Sequence, residues 1–121
     1  MLARLFTKRE TGDEAERSAE RYLIQRSLKL VARNYRTRFG EIDLIMQDGE
    51  VLVFVEVRLR KNNDFGGAAA SIGEAKQRRL IAAAQQYIAA MRHPPPCRFD
   101  AVLLGDMAAQ EIEWLKDAFT A

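Results

Sequence analysis

Asp43 and Glu56, two acids set among apolar residues, are the positions in this chain best suited to hold a divalent cation; Glu41 and Arg58 stand two residues from them. Carboxylate oxygens are the ligands that a hard ion such as Mg²⁺ takes, together with several waters. Cys97 is the sole cysteine and His93 the sole histidine, so neither an intrachain disulfide nor a Cys/His zinc cluster can be assembled. Any metal is therefore left to oxygen ligands.

The segments carrying these acids read as a hairpin. Residues 41–47 and 51–58 form two strands, and Asp48-Gly49 between them tolerates the positive φ of a tight two-residue turn. With those two as the turn, Gln47 faces Glu50, Asp43 lies opposite Phe54 and Glu41 opposite Glu56. Alternation then projects Glu41, Asp43, Ile45, Leu52, Phe54, Glu56 and Arg58 from one face. Ile42, Leu44, Met46, Val51, Val53, Val55 and Val57 project from the other, which is wholly apolar. Opposed glutamates destabilise a sheet by a few tenths to about 1 kcal/mol, and a cation shared by Glu56 and Asp43, diagonal at about 7–8 Å, offsets this. The alternative is that Glu41 points outward at a strand end or pairs with Arg36, Arg38 or Arg58. Residue chemistry alone leaves both open.

The remaining elements must position this hairpin. Thr11-Gly12-Asp13-Glu14 has capping-box spacing and predicts a helix from there to about Arg26, with Ala15, Ala19, Tyr22, Leu23 and Arg26 on one face and Glu16 on its border. Residues 28–35 alternate as a strand, Leu28, Leu30 and Ala32 against Lys29, Val31 and Arg33. Residues 59–70 are a charged and then Gly-rich loop. Ser71-Ile72-Gly73-Glu74 repeats the capping-box spacing and predicts a second helix, with Lys76, Leu80, Ala83, Ala84, Tyr87 and Met91 on a shared face. Pro94-Pro95-Pro96 stops it by removing backbone donors, residues 97–104 follow as a strand, and a last short strand includes Ile112 and Trp114. The order α-β-β-β-α-β predicts an α/β fold, a mixed sheet flanked by helices.

Composition bounds the rest. The 121 residues suit one domain, with residues 1–10 a flexible N-terminal stretch, and 48% hydrophobic with 30% charged residues is ordinary for a globular chain. No apolar run approaches the length needed to cross a bilayer of about 30 Å. Met1 to Phe6 lacks the length and cleavage site of a secretory signal, which predicts a cytoplasmic protein with no membrane partner. The net charge of +2 is segregated: residues 21–40 hold six basic and no acidic residues, while residues 106–117 are net acidic. The basic stretch suits a polyanion, and a solvated surface without a partner explains it equally well.

Gly40-Glu41-Ile42-Asp43-Leu44-Ile45 followed by Phe54-Val55-Glu56-Val57-Arg58-Leu59-Arg60 resembles the bacterial YraN-type family of uncharacterised predicted nucleases, uncharacterised protein family 0102. The resemblance extends to Ala19-Glu20-Arg21-Tyr22-Leu23, Arg33-Asn34-Tyr35-Arg36, Lys76-Gln77-Arg78-Arg79-Leu80, Arg98-Phe99-Asp100 and Ala118-Phe119, colinear over nearly the whole chain. It implies a restriction-endonuclease-like fold of the Holliday-junction-resolvase branch, where Asp and Glu-x-Lys on adjacent strands bind Mg²⁺. Asp43 and Glu56 match those acids, and the family's glutamate on the first helix falls on Glu16. The chain departs at the motif lysine, which is Arg58; the glycines usual before Glu16 and after the first helix are Ala15 and Ser27.

The resemblance implies a DNA endonuclease, with Asp43, Glu56 and Glu16 holding Mg²⁺ or Mn²⁺. Arg58, or Lys76 from the second helix, would neutralise charge developing on the phosphate. Arginine is effectively never deprotonated, so Arg58 can stabilise charge but cannot act as a base. For Lys76 the alternative is an amine extending from the core edge. Arg33, Arg36, Arg38, Arg60, Lys61, Arg78 and Arg79 would hold flanking phosphates, with Tyr35 and Phe65 either stacking on bases or simply packing. A homodimer is the expectation if the substrate is branched DNA. The competing reading is a nuclease-derived nucleic-acid-binding module that has lost cleavage with its motif lysine; a protein-interaction role is weaker.

Overall fold

The computed structural model describes residues 8–59, 72–105 and 111–121, with residues 8–11 described in backbone only. In chain order these form α1 (Lys8–Gln25), β1 (Lys29–Arg36), β2 (Glu41–Asp48), β3 (Val51–Leu59), α2 (Glu74–Ala89), β4 (Cys97–Leu104) and β5 (Ile112–Phe119). The strands lie side by side as β1-β2-β3-β4-β5. β3 and β4 run parallel, because α2 carries the chain back across the sheet between them, and every other pair is antiparallel. The fold is α/β with a mixed sheet, as the order of elements predicts.

Helices cover both faces of the sheet. On one, Ala15, Ala19 and Leu23 of α1 pack with Leu28 on Leu44, Met46, Val53, Val55, Val102 and Leu104. On the other, Leu80, Ala83 and Ala84 of α2 pack with Ile72 on Ile42, Ile45, Leu52, Phe54, Phe99 and Leu103. Each buried Leu, Ile, Val or Phe contributes about 1.5–3 kcal/mol, so the central strands β2, β3 and β4 are the best-anchored part of the chain. Ile42 packs on the α2 side with Ile45, not with Leu44 and Met46. Strict alternation therefore fails between residues 42 and 45, around Asp43. A second break lies in β1, where the register shifts between Leu30 and Ala32. The shift sends Leu30 to the α1 side and Ala32 to the α2 side and leaves Val31 exposed.

The helix boundaries differ from the capping-box expectation. α1 already begins at Lys8, so its backbone runs through Thr11 instead of starting there; Lys8, Arg9 and Glu10 are good helix formers and extend it backwards. α2 has Gly73 at its N-cap with no side-chain cap hydrogen bond, and Glu74 is its first residue. Gln77 instead closes that end, its side chain donating to the Ile72 carbonyl at 2.8 Å. α2 ends at Ala89, which leaves Met91 outside the helix and exposed. Arg26 likewise lies off the buried face of α1, its guanidinium 3.4 Å from the centre of the Tyr22 ring.

α1 closes in a Schellman motif. The Leu28 N–H donates to the Leu23 carbonyl at 3.1 Å and the Ser27 N–H to the Ile24 carbonyl at 3.0 Å, with Leu23 and Leu28 packed in one cluster. Ser27 carries φ 76, the left-handed conformation that glycine adopts without a Cβ penalty. Ser27→Gly is therefore expected to stabilise the fold by about 1 kcal/mol, read as a raised midpoint in urea denaturation at constant slope. A midpoint equal to or below wild type would show that the serine is not strained.

Candidate metal centre

The turn of the central hairpin sets the site's geometry. Asp48 pairs with Val51, so the two turn residues are Gly49 and Glu50 and not Asp48 and Gly49. Only Gly49 has a positive φ, 60°, which meets the type II′ requirement; an Asp48-Gly49 type I′ turn would also need Asp48 in the left-handed region. The shift moves the far end of the hairpin by two residues. Pairing runs from Asp48↔Val51 to Leu44↔Val55, so Phe54 lies opposite Ile45 and not Asp43. Asp43 and Glu56 follow at the end of this ladder with their side chains together, while Glu41 pairs with Arg36 of β1.

Beyond Leu44 the ladder gives way to a side chain. Asp43 Oδ2 accepts the Val57 N–H at 2.8 Å, so its carboxylate takes the place of a strand carbonyl and is held against β3. Its other side meets the Glu56 carboxyl. Glu56 is only 4% exposed. Burial, then the hydrogen bond and charge of Glu56, push the Asp43 carboxyl up to about 9; the Val57 N–H pulls the other way and Glu16 adds to the rise. At neutral pH the Asp43 carboxyl keeps its proton.

This proton makes stability depend on pH. Because the folded value lies above the ordinary 3.8, the proton's contribution is full below pH 3.8, declines as pH rises and is gone above about 9. In chelator-treated protein, the melting temperature of wild type relative to Asp43→Asn is expected to fall steadily through that window. Parallel profiles for the two proteins would contradict the retained proton.

Two cations reach the pair. Lys76 Nζ, from the first turn of α2, lies 3.4 Å from Glu56 Oε2, and Arg58 Nε lies 3.8 Å from the same oxygen. Lys76 extends from the α2 face as its position one turn before Leu80 suggests. The donor set fits a hard divalent ion: two apposed carboxylates suit Mg²⁺, which is commonly held by one or two acids with waters and substrate phosphate completing its shell. Among the described residues no three His, Cys, Asp or Glu side chains converge as a metal-ligand group, so Glu16 stands beside the pair and not within it.

Glu16 sits in a groove of about 770 Å³ between α1 and the β1–β2 edge. Its carboxyl is raised above the ordinary value by burial and by the charges of Glu41, Asp13 and Glu56, with Arg36 opposing. Between Glu16 and Glu41 lies Asn34. With its amide nitrogen turned to the acids, Asn34 donates to Glu16 Oε1 at 2.7 Å and to Glu41 Oε1 at 3.0 Å; the opposite orientation would set its oxygen against two acceptors.

The basic residues are less free than their sequence suggests. Arg33 makes a bidentate pair with Glu20 at 2.6 and 2.9 Å, which lowers the Glu20 carboxyl, and Arg36 Nε stands 3.5 Å from Glu41. Arg38 lies over the Phe39 ring at 4.9 Å, Arg78 is 3.9 Å from Glu74, and the Cβ of Arg79 abuts Gly40, whose own Cβ would come within 3.3 Å of it. Arg60, Lys61 and Phe65 lie outside the described residues. Tyr35 packs edge-on against Tyr87 at 5.1 Å, the packing alternative. Three positions receive no site role from the sequence: Asn34 and Arg21, which fall inside the quoted family segments, and Arg17; α1 brings the two arginines to the groove. Only the low strand propensity of asparagine hints at the first.

Comparison with known proteins covers the same stretch. The family model described as Uncharacterised protein family UPF0102 matches residues 15–104. A UPF0102 protein of Nitrosospira multiformis is 56% identical over 114 residues, spanning 94% of this chain and 96% of that protein. One of Methylobacillus flagellatus is 55% identical over 114 residues, 93% and 99% of the two chains, and one of Nitrosococcus oceani 52% over 116 residues, 93% and 94%.

Proposed function

Because the chain belongs to Uncharacterised protein family UPF0102, whose model takes in every member of the acidic cluster from Glu16 to Lys76, we propose that this cluster is a nuclease centre. In this reading the protein is a metal-dependent DNA endonuclease that hydrolyses phosphodiester bonds, acting on branched DNA. The observation that carries the reading is the buried, apposed pair Asp43 and Glu56 with Lys76 Nζ 3.4 Å from Glu56. Buried acids set together are costly to the fold, and perturbed acids with a nearby cation mark functional sites more often than structural ones.

Asp43 and Glu56 would hold Mg²⁺ or Mn²⁺, which when bound supplies Lewis-acid polarisation of the phosphate and a more acidic water. The Val57 N–H would keep the Asp43 carboxylate oriented for such an ion. Lys76 takes the position that the missing motif lysine leaves open, offering an amine that, unlike the Arg58 guanidinium, can titrate. Arg17, Arg21 and Arg36 line the adjoining groove and meet backbone phosphates. Among the described residues no helix is long and apolar enough to cross a membrane.

Incubation with duplex, single-stranded and four-way-junction DNA in Mg²⁺ or Mn²⁺, over a range of salt, tests the reading. Metal-dependent cleavage that is lost in Asp43→Ala and Glu56→Ala supports it. Salt-sensitive binding without cleavage under any condition selects the inactive binding module, the reading that Arg58 favours. Absence of both removes every nucleic-acid role.

A further inference from the structure

Asn34 is the one residue inside a strand next to the acidic cluster whose backbone is left-handed, with φ 51. It lies between the pairs Arg33↔Leu44 and Tyr35↔Ile42, and so opposite Asp43. Asparagine is among the few residues other than glycine that tolerate this conformation, and held conformations of this kind gather at functional sites. Its amide nitrogen meets two carboxylates from different elements, Glu16 on α1 and Glu41 on β2.

The two partners are not equivalent. Glu41 belongs to the sheet and has Arg36 Nε 3.5 Å from the same oxygen, so it is fixed by strand pairing and balanced in charge. Glu16 sits on the partly buried border of a helix and is repelled by Glu41, Asp13 and Glu56. Left to itself its carboxylate would turn to solvent. One amide N–H on Glu41 and the other on Glu16 tie the two acids together, and both contacts fall on Oε1, so the amide leaves the second oxygen of each untouched.

We infer that Asn34 is a positioning residue that holds Glu16 beside the Asp43–Glu56 pair, so that Glu16 can join the pair around a divalent cation. The inference rests on the metal-site reading above. Partners that orient metal ligands typically change affinity by about 10- to 100-fold when removed, and this is the effect expected here.

Calorimetric titration of the full chain with MnCl₂ tests this in wild type, Asn34→Gly, Glu16→Gln, the double variant and Asp43→Ala. Glycine at residue 34 keeps the left-handed backbone without a Cβ, so the variant folds, and its melting curve checks that it does. Expected are a Mn²⁺ affinity about 10- to 100-fold weaker for Asn34→Gly and little further loss when the same change is made in the Glu16→Gln protein. A merely structural asparagine would lower the melting temperature and leave affinity alone. Unchanged affinity in Asn34→Gly, or an equal loss in the Glu16→Gln background, overturns the positioning role while leaving the metal site standing. No Asp43-dependent Mn²⁺ binding by wild type overturns the metal site itself.

Discussion

Asp43→Ala is expected, on the proposed nuclease reading, to reduce Mg²⁺-dependent DNA cleavage by about 10³-fold or more, because the Lewis-acid contribution of a held ion is worth several kcal/mol and each 1.36 kcal/mol is a factor of ten. The same change should leave the melting temperature of metal-free protein at or above that of wild type near neutral pH. It removes a buried acid whose partner, Glu56, then has Lys76 and Arg58 to itself. Loss of turnover without loss of stability separates chemistry from folding, and initial rates with melting curves on the same samples check both. Glu56→Gln should match it, and the double variant should be no worse than either, since groups that hold one ion fail as a unit. A fully active Asp43→Ala protein would end the nuclease reading. Lys76→Ala should cost more than Arg58→Ala, given the shorter approach to Glu56 and the amine's ability to titrate.

Asp100→Ala is expected to destabilise the protein by about 3–5 kcal/mol, the usual result of removing one partner from a buried ion pair. Asp100 is fully buried yet fully satisfied. It accepts from Arg98 Nε at 3.0 Å, from Trp114 Nε1 at 2.9 Å and from the Asp117 N–H at 2.9 Å. The last bond mends an irregularity: the β4–β5 register shifts between Phe99 and Ala101, and Asp117 carries φ 54 there. Arg98 also reaches Asp48 at 2.9 Å, tying the hairpin turn to β4. Removing the carboxylate leaves the Arg98 guanidinium, 18% exposed, with Asp48 alone and strips the Trp114 Nε1 and Asp117 N–H donors of their acceptor. Urea denaturation measures the loss, and a change under about 1 kcal/mol would mean that water replaces the carboxylate at little cost. Because Asp100 pairs with Val55, next to Glu56, milder replacements such as Asp100→Asn should also loosen the Asp43–Glu56 pair.

The helices and strands were legible because each carries its own local pattern. Ala15, Ala19 and Leu23 recur at helical spacing and are buried; the runs at Ile42 to Met46 and Val51 to Val55 are apolar on both faces, as strands between two helices must be. Arg33 reads as a free cation in a sequence, since nothing local says that Glu20, thirteen residues away, will take it, whereas the pairing of Glu41 with Arg36 was one of the open alternatives and is the one found. Tyr35 offered a base-stacking face on paper and is occupied by Tyr87 in the fold.

Residue type alone determined that Asp43 and Glu56 would lie near each other on adjacent strands and that any metal here must be held by oxygen. Tertiary structure decided how near. Moving the turn by one residue to spare Asp48 a left-handed backbone carries the opposing strand two positions, and this brings Asp43 and Glu56 together at the end of the ladder. The helix packing that covers the sheet then brings Lys76 from α2 and Glu16 from α1 to that end of the hairpin, and the φ of Asn34 turns its amide between Glu16 and Glu41. Strand identity is written in local alternation; register, side-chain reach across elements and a left-handed residue inside a strand depend on which distant groups win each contact, and those energies exist only once the chain is folded.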